Sequence, residues 1–331
     1  MKFLLVAGGT MPIPPTGWGA VEKVMWEQKT FLESRGHTVD IYNVKRHKAI
    51  RNVLARPWQY DLVHVHIDSL SRRWLPLSRR FRFPLLVTTH YGYAAFPDRW
   101  NAAYGKTVEI MRPLPDLIAL SPEIQATLTT QGFTGRIHVL PNAVRCGDFT
   151  FAPAASKPAL ILGKIEERKK QRFLAETLAA YPTVACDLIG PTGRDDESDP
   201  GNGKNVVYRG PWTRREVETR LTEYASLVLL SDGEAHALVV LEAMAAGLSL
   251  IVSREASHNL DPSLPWVHIV DRDRPDEIAA AIESATRDNA HYRAEIRRYC
   301  EATFDWSVLG PGYVTLAQQV IATQRPRRKP R

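Results

Sequence analysis

Short apolar runs recur along this chain at spacings that leave room for a helix between one and the next. Six fall in the first half, at 2–7, 38–43, 61–66, 84–89, 116–120 and 136–140; six more fall in the second, at 158–163, 184–190, 205–209, 226–230, 248–253 and 267–270. Runs such as Leu227-Val-Leu-Leu230 are apolar without alternation, as expected of strands covered on both faces. Strands alternating with helical or loop stretches build a parallel sheet wound on both sides, so two such series in 331 residues predict two α/β domains. Phe151-Ala-Pro-Ala-Ala-Ser-Lys-Pro158 is the best linker between them, and Trp306 to Thr323 reads as a helix once past an interruption at Gly310-Pro-Gly312. The apolar start Met1-Lys-Phe-Leu-Leu-Val-Ala7 breaks at Gly8-Gly9, too soon for a leader or a span of about 20 residues, and is read as the first buried strand.

The chemistry concentrates in Ser231-Asp-Gly-Glu-Ala-His-Ala-Leu-Val-Val-Leu-Glu-Ala-Met-Ala-Ala-Gly247, where Glu234 and Glu242 flank seven residues. If the segment between them is mostly helical, eight steps of about 1.5 Å part the two carboxylates by roughly 12 Å, enough for one to meet a sugar and the other a ribose. The first backbone N–H groups of such a helix, at Ala237, Leu238 and Val239, lack intrahelical partners and suit the diphosphate between. Two glutamates eight apart also occur by chance on solvated helices. Context adds weight, because the apolar runs on either side make the unit β-loop-α-β and place Glu234 at the carboxyl end of a strand, where open α/β sheets bind ligands.

This segment resembles the Glu-x7-Glu signature of family 4 retaining glycosyltransferases. Further segments resemble that family in order: Lys2-Phe-Leu-Leu-Val6, Pro14-Pro-Thr-Gly-Trp-Gly-Ala-Val-Glu22, Arg35-Gly-His-Thr-Val39, Asp61-Leu-Val-His-Val-His66, Thr88-Thr-His90, Pro141-Asn-Ala-Val144 and Gly163-Lys-Ile-Glu-Glu-Arg-Lys169. The resemblance implies the GT-B fold, two Rossmann-like domains facing across a cleft: 1–150 on the acceptor side, 157–304 holding the nucleotide sugar, and helix 306–323 packing back on the first. It implies Glu234 aligning the sugar, Glu242 on the ribose, Lys169 and Lys164 on the diphosphate, and His90 touching the donor sugar. Gly17 and Gly19 would let backbone approach the phosphates. His236 either bonds a hydroxyl or fills the family's aromatic slot. Lys164 keeps the charge of the family's usual arginine without its bidentate fork, and Ala143 and Ala235-His236-Ala237 also depart from the family pattern.

The implied reaction moves a sugar from a nucleoside diphosphate to an acceptor hydroxyl with retention, in cell-surface polysaccharide, lipopolysaccharide or glycolipid synthesis. The donor is expected to be a UDP-sugar rather than a GDP-sugar, with a saccharide or lipid-linked acceptor, no bound cofactor and no catalytic metal. A nucleotide-sugar epimerase, revealed by epimerised sugar without acceptor, and a noncatalytic nucleotide-sugar-binding protein remain the alternatives.

Charge and cysteines bound the partners. The segment 325–331 carries five of the formal +7, leaving +2 for the rest, and it reads as disordered. It is either a solvated extension or a contact to an anionic membrane; a second basic-aromatic cluster spans Arg72-Arg73-Trp74 and Arg79 to Phe83, where an ordinary solvated loop is the alternative. No nucleic-acid-binding motif accompanies the charge. Cys146, Cys186 and Cys300 are too few and scattered for a disulfide framework, which suggests a reducing, cytoplasmic setting, with attachment to the inner face of the membrane left open.

Overall fold

A computed structural model of the chain describes residues 1–192 and 205–325. All twelve apolar runs form strands, with ends within two residues of expectation: β1 Lys2–Ala7, β2 Thr38–Asn43, β3 Leu62–Val65, β4 Leu85–Thr88, β5 Asp116–Ala119, β6 Arg136–Val139, β7 Lys157–Leu162, β8 Cys186–Ile189, β9 Val206–Tyr208, β10 Tyr224–Leu229, β11 Ser249–Ser253 and β12 Val267–Val270. They assemble into two compact units. One comprises Met1–Pro15, Gly19–Asn142 and the C-terminal segment from Trp306; the other comprises Thr16–Trp18 and Ala143–Asp305.

The first unit holds a parallel sheet ordered β2-β1-β3-β4-β5-β6. β3, β4 and β5 are buried along their whole length, as an all-parallel sheet covered by helices requires. The covering helices are α1 (Ala20–Ser34), α2 (Ala49–Leu54), α3 (Ser71–Phe81), α4 (Ala102–Met111), α5 (Pro122–Thr130) and, returning from the end of the chain, α10 (Trp306–Gln324).

α10 runs through Gly310-Pro-Gly312, which does not interrupt it. Pro311 is the sixth residue of the helix and gives up one backbone bond, while Gly310 serves packing: a Cβ there would meet the Phe31 ring of α1 at 2.3 Å. Beside this contact Trp306 stacks on Phe31 at 5.7 Å and donates from Nε1 to Glu27 Oε2 at 2.9 Å. At the far end of α10, the Gln324 amide accepts from Leu85 N and donates to Leu85 O, both at 2.8 Å, and donates to Asp116 Oδ2 at 2.7 Å.

The second unit is ordered β12-β11-β10-β7-β8-β9, again parallel. Counted from β7 as the first strand, this is the 3-2-1-4-5-6 order of dinucleotide-binding folds, whose strand order reverses between β7 and β10. Helices α6 (Gln171–Leu178), α7 (Arg214–Arg220), α8 (Leu238–Ala245) and α9 (Pro275–Thr303) cover it. α9 buries Ile278, Ile282, Ala285, Asn289, Arg293, Ile296 and Cys300 at steps of three and four, one stripe down a 29-residue helix.

The polar members of that stripe tie the unit together. Arg293 is buried, pairs with no carboxylate among the described residues, and donates to the carbonyls of Ala152 (2.6 Å), Tyr224 (2.9 Å) and Ala246 (3.3 Å), and to Asn289 Oδ1 (2.7 Å); burial pulls its pKa down to about 10. The bond to Ala152, with Ser156 N donating to Glu223 O at 2.9 Å, holds 151–158 inside the second unit. That stretch was the expected linker, but the units part earlier, between Asn142 and Ala143. All three cysteines are buried thiols, and two that look scattered in sequence meet, Cys146 Sγ lying 3.5 Å from Cys300 Sγ. Arg327, Arg328, Lys329 and Arg331 of the basic tail lie outside the described residues.

Candidate functional site

The strand order reverses between β7 and β10, the place at whose carboxyl ends doubly wound sheets bind ligands, and most of the expected site residues of the second unit follow these two strands. Gly163 follows β7 and Gly190 follows β8. They approach so closely that a Cβ on Gly190 would sit 1.8 Å from Gly163 O, and one on Gly163 would sit 2.7 Å from Lys169 Nζ. Lys169 thus folds its ammonium back over the bare Gly163. The loop between them is closed by Gln171, which donates to Lys164 O at 2.9 Å and accepts from Glu166 N at 3.3 Å. Among the described residues no carboxylate pairs with Lys164 or Lys169, although their neighbour Lys170 reaches Glu167 at 2.8 Å and Asp232 at 3.3 Å. Two cations at a strand end without a counter-ion favour an anion.

Opposite, Ser231 to Glu234 follow β10. Glu234 Oε1 accepts from Arg168 Nη1 at 2.8 Å, and Arg168 Nη2 donates to Glu166 Oε1 at 2.8 Å. The same Nη1 also bonds Ser231 Oγ at 3.2 Å and the Gly233 carbonyl. Burial works against the Arg168 charge, but Glu234 and Glu166 outweigh it and raise its pKa. Glu234 is therefore held in one orientation with its second oxygen to spare.

Ala237 occupies the N-cap position of α8, and Leu238 and Val239 open the helix, so their N–H groups lack intrahelical partners as expected. Gly247, at φ 86, turns the chain out of it. Glu242 is buried on α8 and accepts from Arg214 Nη1 at 2.6 Å; Arg214 also donates to Glu218 Oε1 at 2.6 Å. Arg214 opens α7, and its backbone N–H donates to Thr16 O at 3.3 Å, which holds the Gly17 turn within the second unit; a Cβ on Gly17 would lie 3.8 Å from Trp212 O. His236 is buried, its ring 5.5 Å from Phe304, and burial, then the His258 charge, lowers its pKa to about 3.

Arg168 and Arg214 were not singled out in the sequence. The charged run Glu166-Glu-Arg-Lys-Lys170 hides the first, and only its position next to Lys169 hinted at it. For the second, the capping box of Thr213 and Glu216 was a legible sign that a helix starts there, with Arg214 as its first residue.

The first unit carries His90 and Gly19. Gly19 caps α1 at φ 130. His90 follows β4 half-buried, and the packing around it lowers its pKa to about 4. His66 Nδ1 lies 3.2 Å from His90 Nε2, and His66 in turn lies against His64, with ring centres 4.0 Å apart and planes tilted by 39°. His64 contacts Thr88 Oγ1 at 2.7 Å and the Tyr313 hydroxyl of α10 at 3.0 Å. Beneath His90, buried Asp68 accepts from Thr89 Oγ1 at 2.6 Å and from the Tyr104 hydroxyl at 3.0 Å. Both His64 and His66 are thus sheet-interior residues. Among the described residues no group of three or more His, Cys, Asp or Glu side chains is arranged to hold a metal ion, and no helix is long and apolar enough to cross a membrane.

Residues 42–147 match the model of Glycosyltransferase Family 4, and residues 156–288 match that of Glycosyl transferases group 1. The chain is a family 4-like glycosyltransferase. No curated protein matches this glycosyltransferase in sequence. Among solved structures it is similar to the sucrose-phosphate synthase of Thermosynechococcus elongatus, with a TM-score of 0.81 at 17% identity over 97% of this chain and 99% of that one. It is also similar to Anabaena HepE in complex with UDP-glucose (TM-score 0.70, 17% identity, 98% and 99% covered) and to the lipopolysaccharide outer core galactosyltransferase WaaB (TM-score 0.68, 16% identity, 98% and 100% covered). At these identities the likeness establishes the GT-B fold, which the glycosyltransferase shares over nearly its full length.

Proposed function

We propose that this glycosyltransferase transfers a sugar, with retention at the anomeric carbon, from a nucleoside diphosphate to a hydroxyl of a saccharide or lipid-linked acceptor during cell-surface polysaccharide, lipopolysaccharide or glycolipid synthesis. The observation that carries the reading is that Lys164 and Lys169, which follow β7 at the β7–β10 reversal, pair with no carboxylate among the described residues, while α8 follows β10 on the other side of that reversal. The transition state has oxocarbenium character, and negative charge grows on the departing diphosphate. Lys169, Lys164 and the N–H groups of Leu238 and Val239 supply fixed positive charge for it without calling on a divalent ion. Glu234, oriented by Arg168, bonds the sugar hydroxyls and aligns the anomeric carbon. Glu242 binds the ribose, for which it must share or exchange its bond from Arg214. His90 contacts the donor sugar, and its lowered pKa keeps the ring neutral at physiological pH. The departing phosphate takes the acceptor proton, so neither glutamate acts as a glycosidase-type nucleophile.

A UDP-sugar is the favoured donor, in keeping with the HepE complexes with UDP-glucose and with UDP. A thermal-shift screen against UDP, GDP, ADP and their sugars tests the reading directly, since a ligand that binds the native state raises the unfolding temperature. UDP and a UDP-sugar are expected to stabilise, transfer is expected to survive EDTA, and the product is expected to keep the donor's anomeric configuration by NMR. No stabilisation by any nucleotide, together with no turnover, would overturn it.

A further inference from the structure

Glu234 is held by its backbone as well as by its carboxylate. Arg168 takes the carboxylate, while the backbone N–H of Glu234 donates to Glu255 O at 3.0 Å, in the turn after β11. The side chains around that second bond form a run of alternating charge. Arg272, in the turn after β12, donates from Nη2 to Glu255 Oε1 at 2.9 Å and pairs through Nη1 with Asp232, two residues ahead of Glu234. Asp232 also meets Lys170 at 3.3 Å, and Lys170 reaches Glu167 at 2.8 Å. Glu255, Arg272, Asp232, Lys170 and Glu167 thus link the segments that follow β11, β12, β10 and β7.

Ion pairs between freely exposed side chains contribute little. Here the Arg272, Asp232 and Glu255 side chains are only 22%, 23% and 17% exposed, and one guanidinium fork serves two carboxylates from different loops. Without that guanidinium, two like charges remain close together and uncompensated on its side. One is on the loop that carries Glu234, and the other is on the residue whose carbonyl receives the Glu234 N–H. Their repulsion pushes the loop and the turn apart and takes the Glu234 backbone with them. Arg168 holds the loop from the β7 side; Arg272 holds it from the β12 side.

We infer that Arg272 is a positioning residue for transfer, setting the place of Glu234 through Asp232 and Glu255. The inference rests on the role proposed for Glu234 in aligning the donor sugar. Glu242 is held from α7 by Arg214 instead, so the effect of Arg272 belongs to the sugar and not to the nucleotide.

The test is a double-mutant cycle on turnover, read as UDP released from the UDP-sugar that gives the largest thermal shift, with calorimetric titration of UDP alongside. Arg272→Gln should lower kcat by about tenfold or more, as displacing an aligning group by about 1 Å does, and leave the affinity for UDP unchanged. Added to Glu234→Gln it should cost nothing further, because both changes act on one group. Arg272→Lys keeps a charge between the two carboxylates without the fork that bonds both. Its kcat should lie between those of the parent and Arg272→Gln, and it runs through the same cycle if Arg272→Gln does not fold. While Glu234→Gln is impaired, additive losses in the double variant overturn the inference, as does parental turnover in folded Arg272→Gln or a loss of UDP affinity equal to its loss of turnover. Parental turnover in Glu234→Gln itself overturns the role proposed for Glu234, and the inference with it.

Discussion

Two ion pairs lie at the candidate site, Arg168–Glu234 and Arg214–Glu242, and single substitutions test the separate roles proposed for them. Lys169 has no carboxylate beside it among the described residues, so Lys169→Ala should leave the fold intact and lower turnover by about 10²-fold or more, the scale of losing one fixed electrostatic stabiliser. Near-normal kinetics in a folded variant would remove Lys169 from the reaction. Glu234→Gln and Glu242→Gln should behave differently from each other. The second should weaken binding of free UDP, whereas the first should spare UDP and impair binding or reaction of the intact donor, which titration calorimetry with each ligand resolves. Amides are the better replacements here, because Arg168 and Arg214 are both largely buried and an alanine would strand a guanidinium as well as remove a carboxylate. The glutamates were legible because their spacing is local, eight positions in one strand-to-helix unit. Their arginine partners were not, since one lies 66 positions from Glu234 and the other 28 from Glu242, and a pair made only by folding leaves no periodic trace.

Strands were the most legible elements, because burial on both faces writes them as unbroken apolar runs bounded by Gly, Pro or charge. β10 shows the residual error: Tyr224 and Ala225 extend it two residues ahead of the run, through pairing of Tyr224 with Lys157. Helices were harder where glycine and proline served packing. Gly310-Pro-Gly312 looks like a break, yet the missing side chain at 310 is what admits the Phe31 ring of α1. Gly310→Val should therefore destabilise the chain by about 1–3 kcal/mol through overpacking, even though valine at an ordinary helix position costs well under 1 kcal/mol relative to alanine and glycine is the poorer helix former. Denaturant unfolding measures the loss, and Phe31→Leu in the same chain should recover part of it. A neutral or stabilising Gly310→Val would show that α1 and α10 are not held this closely.

The whole molecule repeats one plan twice, and that doubling was visible in the twelve runs. Of the two crossing points, the helix from Trp306 joins the first unit as the family resemblance implied, whereas nothing in the runs marked Thr16–Trp18 as part of the second, where Arg214 N–H donates to Thr16 O. A property of the whole chain follows from its interior histidines. His64, His66 and His236 are buried, and burial holds His64 and His236 near pKa 3 and His66 well below its usual value. In the unfolded chain each titrates near 6.5. The folded state therefore binds fewer protons than the unfolded state below about pH 6.5, and stability must fall as pH drops through that value toward 4. Buried Asp68, whose pKa is raised by desolvation, acts in the opposite sense and blunts the lower end of the fall. Each histidine held neutral by the fold, His90 among them, adds at most about 1.4 kcal/mol per pH unit to the slope, and His236→Phe, which keeps a ring against Phe304, should reduce it by one proton. Urea unfolding at pH 7, 6 and 5 reads the slope in both proteins. A flat profile in the parent chain, or an equal slope in the variant, would mean that these imidazoles are not held neutral by the fold.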